Sequence, residues 1–149
     1  MLIFNVVNTT QIKVSKKYLR KVVEKILEEE NFKDDFEASL VLVGDKKMRS
    51  LNKKYRGIDK ATDVLSFDLN WDAKELKYDK TRQGEIIISL DQVKRQVKKI
   101  EGNSFRKELS LLLIHGVLHL LGYNHEGTLK EKKRRMLSRQ EELLIRISH

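Results

Sequence analysis

The chain has 149 residues, with 31 Lys and Arg against 22 Asp and Glu, a formal charge of +9, no cysteine and no proline. That length suits one domain, residues 1–149, burying about two-thirds of its unfolded surface. The lack of cysteine excludes disulfide scaffolds and thiolate zinc sites. The longest apolar stretch, Leu111 to Ile114, stops at His115, and the apolar start from Leu2 to Val7 is too short for an export signal. The cytoplasm is therefore the expected compartment, with no membrane partner.

Residues 2 to 8 read as a first strand. Ser15 is placed to cap a helix whose stripe is Leu19, Val22, Val23, Ile26 and Leu27. Ala38 to Gly44 reads as a buried strand, and Asp45 as the cap of a short helix through Met48, Leu51 and Tyr55 ending near Gly57. Asp63 to Leu69 and Glu85 to Leu90 read as two more strands, the second with the β-branched triplet Ile86-Ile87-Ile88. Between them, Asn70 to Gln83 is a long polar connection holding the only tryptophan, Trp71; loops of that length are more often functional than passive. Ser89 and Gln92 suggest a capping box for a helix with Val93, Val97 and Ile100 inward. Ser104 opens the very apolar helix Phe105 to Leu121. Thr128 and Glu131 suggest a capping box for a last helix packing through Met136, Leu143 and Ile147. About four strands and five helices, not in strict alternation, make an α+β domain with an apolar helix through its core.

That core helix carries the most informative residues. Three of four histidines fall in eleven residues, His115, His119 and His125. At 3.6 residues per turn His115 and His119 share one face. Gly122 suits the left-handed turn that ends a helix, after which the chain can bring His125 round as a third ligand. Three neutral imidazoles suit one zinc ion, with nickel, copper and iron as alternatives, and leave a coordination position for water. The order of these residues is that of the metzincin proteases, except that their general-base Glu is here Gly116. The spacing thus predicts a catalytic metal site without the peptidase base.

Upstream, Asn52 through Phe67 combines a helix end, a charged turn and a strand. Alone it is uninformative, since Arg56 suits a helix C-terminus and Asp59, Thr62 and Asp63 suit turns and caps. Together with Gly84-Glu85-Ile86-Ile87-Ile88 and His115 through His125, it resembles the YbeY family, bacterial single-strand-specific endoribonucleases of ribosome maturation. The three blocks cover about a third of the chain. The resemblance implies a zincin-like α+β fold with a small mixed sheet. It also implies zinc at His115, His119 and His125, and a functional arginine at Arg56. Single-stranded RNA, the small-subunit ribosomal RNA near its 3′ end and the ribosome become the expected partners, with a part in ribosome quality control. Two positions depart from the family pattern, Asn124 and Glu85, each standing where Asp is common.

On this reading zinc activates water or polarises a phosphate oxygen while Arg56 clamps the phosphate with its planar, permanently charged fork. Glu85 or Asp63 is a candidate to orient a ligand imidazole, or else a structural cap. Lys53, Lys54 and Lys60 lead towards the expected site, and Lys130, Lys132, Lys133, Arg134 and Arg135 open the last helix. Trp71 and Tyr78 are candidates to stack on unpaired bases. The surplus of positive charge favours a polyanion. A 36% charged composition also describes thermophile surfaces, though the lack of proline does not follow that pattern. Two rivals stay open: another zinc hydrolase, acting on peptides or small amides, and an RNA-binding assembly factor with a structural zinc.

Overall fold

The structure, a computed structural model, describes residues 1–69, 81–123 and 128–147. Along the chain run β1 (Leu2–Asn8), α1 (Lys16–Glu29), β2 (Phe36–Val43), α2 (Asp45–Arg56), β3 (Val64–Asp68), β4 (Arg82–Ser89), α3 (Leu90–Lys99), α4 (Phe105–Leu120) and α5 (Leu129–Ile147). The four strands form one mixed sheet in the order β1-β2-β4-β3, parallel except for the antiparallel edge pair β3 and β4.

Local chemistry sets the helix starts. Ser15 and Ser104 each accept a bond from the amide three residues on, Tyr18 and Lys107, at 3.1 Å. Thr128 and Glu131 satisfy each other's backbone amides reciprocally, both at 3.2 Å. Four expectations need correction. The cap of α2 is Gly44, not Asp45, whose own amide donates to Asp91 Oδ2 at 2.8 Å. The Asp45 carboxylate instead accepts from Ser89, Gln92 and Arg95, tying α2 to the start of α3. Gln92 is thereby diverted, so only half of the expected box forms there, Ser89 Oγ accepting from the Gln92 amide at 3.4 Å. Ile100 also fails to turn inward: it lies past the end of α3 and is 57% exposed. β4 begins three residues earlier than the expected Glu85, because Arg82, Gln83 and Gly84 pair with Phe36, Glu37 and Ala38 of β2.

The pleat sorts the residues between two sheet faces. Phe4, Ala38, Leu40, Leu42, Ile86 and Ile88 face the main core, which α1, α3, α4 and α5 complete through Leu19, Val22, Ile26, Val93, Leu113, Val117 and Leu143. Ile87, Val43, Leu65 and Met48 form a smaller cluster on the other face, under α2. α4 runs through the main core with residues 112–114 and 116–118 buried, and it approaches the sheet very closely. A Cβ on Gly116 would stand 2.8 Å from Ile86 Cγ2, and one on Gly84 2.2 Å from Leu120 Cδ2 and 2.7 Å from the Phe67 carbonyl oxygen. Glycine at 84 and 116 is what lets helix and sheet meet at van der Waals distance.

Candidate metal centre

His115 and His119 project from the last turns of α4 towards α5. Their Nε2 atoms are 3.1 Å apart and their rings are tilted by 59° with centroids 4.6 Å apart. Two nitrogens bound to one tetrahedral zinc at 2.0–2.1 Å would sit about 3.3 Å apart, so the pair has the spacing of two ligands of one ion. The opposite nitrogen of His115, Nδ1, lies 2.5 Å from Gln140 Oε1 of α5. A carbonyl oxygen only accepts, so Nδ1 carries the proton and the Nε2 lone pair is directed to the shared point. Gln140 is 6% exposed. Sequence reasoning passed over it because a glutamine on an amphipathic helix reads as solvent-facing; only its place on the stripe with Leu129, Lys133 and Met136 marks it.

The pair forms the floor of a cavity of about 480 Å3 walled by α5 through Leu129, Lys132, Lys133, Met136, Leu137 and Gln140. Beyond the histidines α4 ends as expected, with Leu121 as cap and Gly122 at a φ of +96°. Tyr123 is then fixed by donating to the Glu30 carboxylate at 2.7–2.8 Å, and Glu30 also accepts from Arg139 Nε at 2.7 Å. Burial, then the bond to Glu30, pushes the Tyr123 hydroxyl up to about 12, so it stays protonated and donating. His125 lies outside the described residues, as do Asn124, Trp71 and Tyr78. Among the described residues no group of three or more potential ligands forms, which leaves the helical pair as the part of the site on view.

Gly116 sits one residue round from His115, facing Ile86 rather than the cavity. A Glu at that position would collide with the sheet, so the missing peptidase base is a consequence of helix–sheet packing. The remaining candidates lie elsewhere. Glu85 alternates with Gly84 and Ile86, and the pleat therefore puts it on the opposite sheet face. There it lines a groove of about 600 Å3 with Tyr55, Phe67 and Ile87, so a role orienting a ligand imidazole does not fit its placement. Asp63 is occupied as a turn residue: its carboxylate accepts from the Val64 amide at 2.8 Å and its carbonyl from the Ser89 amide at 2.9 Å.

Arg56 is the exposed last residue of α2, in a turn that also carries Lys53 and Lys54. It is not part of the histidine cavity. Its helix ends at Gly57 with φ +71°, and Asn52, 3% exposed, donates from Nδ2 to the Lys60 carbonyl at 2.9 Å, folding the following loop back on the helix. Arg49 pairs with Asp59 through two bonds of 2.8 and 3.3 Å, holding the Asp59 carboxyl below its ordinary value. These contacts fix the turn that presents Arg56. Lys54 rests over the Tyr55 ring, 5.2 Å from its centroid, and Tyr55 packs edge-on against Phe67.

A mixed sheet crossed by an apolar helix that offers His-x3-His to a cavity defines a zincin-like α+β protein. The comparisons with known proteins carry the assignment further. The family model for Endoribonuclease YbeY matches residues 4–148. Proteins called Endoribonuclease YbeY from Persephonella marina and Desulforamulus reducens are 44% and 42% identical, over 90% and 87% of this chain and 84% and 83% of their own lengths. The solution structure of TM1509 from Thermotoga maritima is similar with a TM-score of 0.65 at 30% identity, over 99% of this chain and 89% of that one. The chain belongs to the YbeY family. No helix among the described residues is long and apolar enough to cross a membrane.

Proposed function

We propose that this chain is a metal-dependent, single-strand-specific endoribonuclease that matures small-subunit ribosomal RNA near its 3′ end and takes part in ribosome quality control in the cytoplasm. The observation that carries the reading is the convergent His115 and His119 nitrogen pair on the floor of a lysine-walled cavity. His115, His119 and His125 would hold a single zinc ion. When bound, zinc supplies Lewis-acid polarisation and lowers the pKa of water towards 7.

The rest of the work falls to the chain's own side chains. Gln140 holds the His115 Nδ1 proton and so fixes the ring orientation. Position 116 offers no general base, since its Cβ direction is filled by Ile86. Arg56 supplies the phosphate clamp: it is exposed and, among the described residues, engaged in no ion pair. β3 is an edge strand that packs against α4 and follows the basic turn of α2, and on this reading single-stranded RNA runs across that edge. Lys53, Lys54 and Lys60 are exposed there and add sequence-independent attraction for phosphates.

The deciding experiment is cleavage of single-stranded RNA by metal-analysed protein beside His119→Ala purified identically. Activity should track bound zinc and fall to background in the variant. No cleavage by zinc-loaded wild type would move the reading to an RNA-binding assembly factor, and cleavage of peptides or small amides but not RNA to another hydrolase.

A further inference from the structure

The face that α5 turns to the histidines does more than complete the metal centre. Leu129, Lys132, Lys133, Met136, Leu137 and Gln140 recur at helical spacing, form one stripe and all line the cavity. A stripe serving only to pack on the core would be apolar throughout. Here its lower end is buried, with Gln140 on His115 and Met136 beside it, while its upper end carries two ammonium groups between leucines that are 70% and 58% exposed at positions 129 and 137. Further along α5, Arg139 pairs with Glu30 and Glu142, and Arg146 with Glu29 and Glu142. Lys132 and Lys133 are in no ion pair among the described residues. They stand seven and eight residues before Gln140, about 10 to 12 Å along the helix from the amide that holds His115.

We infer that Lys132 and Lys133 grip backbone phosphates of the RNA to one side of the bond that is cut, with Leu129 and Leu137 against ribose or base, so that α5 sets the register of the substrate over the histidines. The inference rests on the ribonuclease reading and deepens it. The lysines are positioning residues: at that remove they hold a neighbouring phosphate, while the reacting one lies at the histidine floor. Single-stranded RNA fits this wall better than an acidic peptide does, because point charges alternate with apolar surface as phosphates alternate with sugars and bases.

The test uses full-length, zinc-loaded protein and a fluorescein-labelled oligouridylate, with binding followed by anisotropy over a range of salt and cleavage followed separately. For Lys132→Ala/Lys133→Ala the dissociation constant and KM should rise about tenfold and the log–log salt slope should fall by about 1.4, two contacts at about 0.7 each on a single strand. kcat and zinc content should hold, and Lys132→Arg/Lys133→Arg should restore binding. Lys98→Ala/Lys99→Ala, which removes equal charge from the end of α3, should leave the slope unchanged. A slope equal to wild type in the double variant overturns the inference while leaving the ribonuclease reading intact. Polyglutamate competing as well as RNA overturns it in favour of an acidic protein partner. Wild type that binds RNA but does not cleave it defeats the ribonuclease reading, and the salt slope still judges the lysines.

Discussion

The two faces of the sheet are covered in very different ways. On one, four helices close over Leu40, Leu42, Ile86 and Ile88, and the cover is so close that glycine is required at both 84 and 116. On the other, α2 is the one helix among the described residues that covers Val43, Leu65 and Ile87, and beside it lies a groove lined by Glu85 and the half-exposed Tyr55. The candidate ligands His115 and His119 stand on a helix of the first face, and the basic turn with Arg56 ends the helix of the second. Groups that must be held to a few tenths of an ångström grow out of the rigid side. The exposed basic turn that ends in Arg56 stands on the open one.

This contrast can be broken, most severely at the helix–sheet contact. Gly84→Ala places a methyl against the Phe67 carbonyl and Leu120, and backbone cannot yield as a side-chain tip can. The expected loss is about 3 kcal/mol, or a fall in melting temperature of roughly 6 to 12 °C for a chain of this size. A loss near zero in a denaturant titration would mean that the crossing is looser than it stands here. Next in size is Gln140→Met, which keeps the volume and removes the acceptor from His115. Zinc affinity by chelator competition should fall about 10- to 100-fold, with Gln140→Glu restoring it; equal affinities in all three proteins would show that α5 does not orient the ring. The smallest effect is expected on the open face. Arg56→Lys should lower kcat/KM about tenfold while zinc content stays the same, since an ammonium cannot reproduce a bidentate fork. Unchanged cleavage would confine the chemistry to the helical side.

Much of the architecture was legible because its causes are local. The stripe Leu19-Val22-Val23-Ile26, the serines at 15 and 104, the Thr128–Glu131 box and the glycine after α4 act within one or two turns, and they did in the structure what their spacing predicted. The histidine pair was legible for the same reason. What escaped depends on partners distant in sequence. Gln140 meets His115 across 25 residues, Asp45 meets Arg95 across 50, and each drew a side chain away from the role its neighbours implied. The face occupied by Glu85 follows from a period of two, but which face α4 would cover is decided only when the helix docks through Gly116 and Gly84.

The carboxylate of Glu30 has one more consequence. It receives Tyr123 and Arg139 over sequence separations of 93 and 109 residues, so a residue at the end of the first helix clasps both the turn after α4 and the middle of α5. Contacts of that span form only after the intervening chain has been ordered, and their loop-closure cost falls late in folding. The histidine pair can exist as soon as α4 is helical, whereas the wall opposite it cannot. Maturation of the cavity is therefore a report on the whole chain having folded, and a nuclease built in this way is competent only once its last helix has been gathered in.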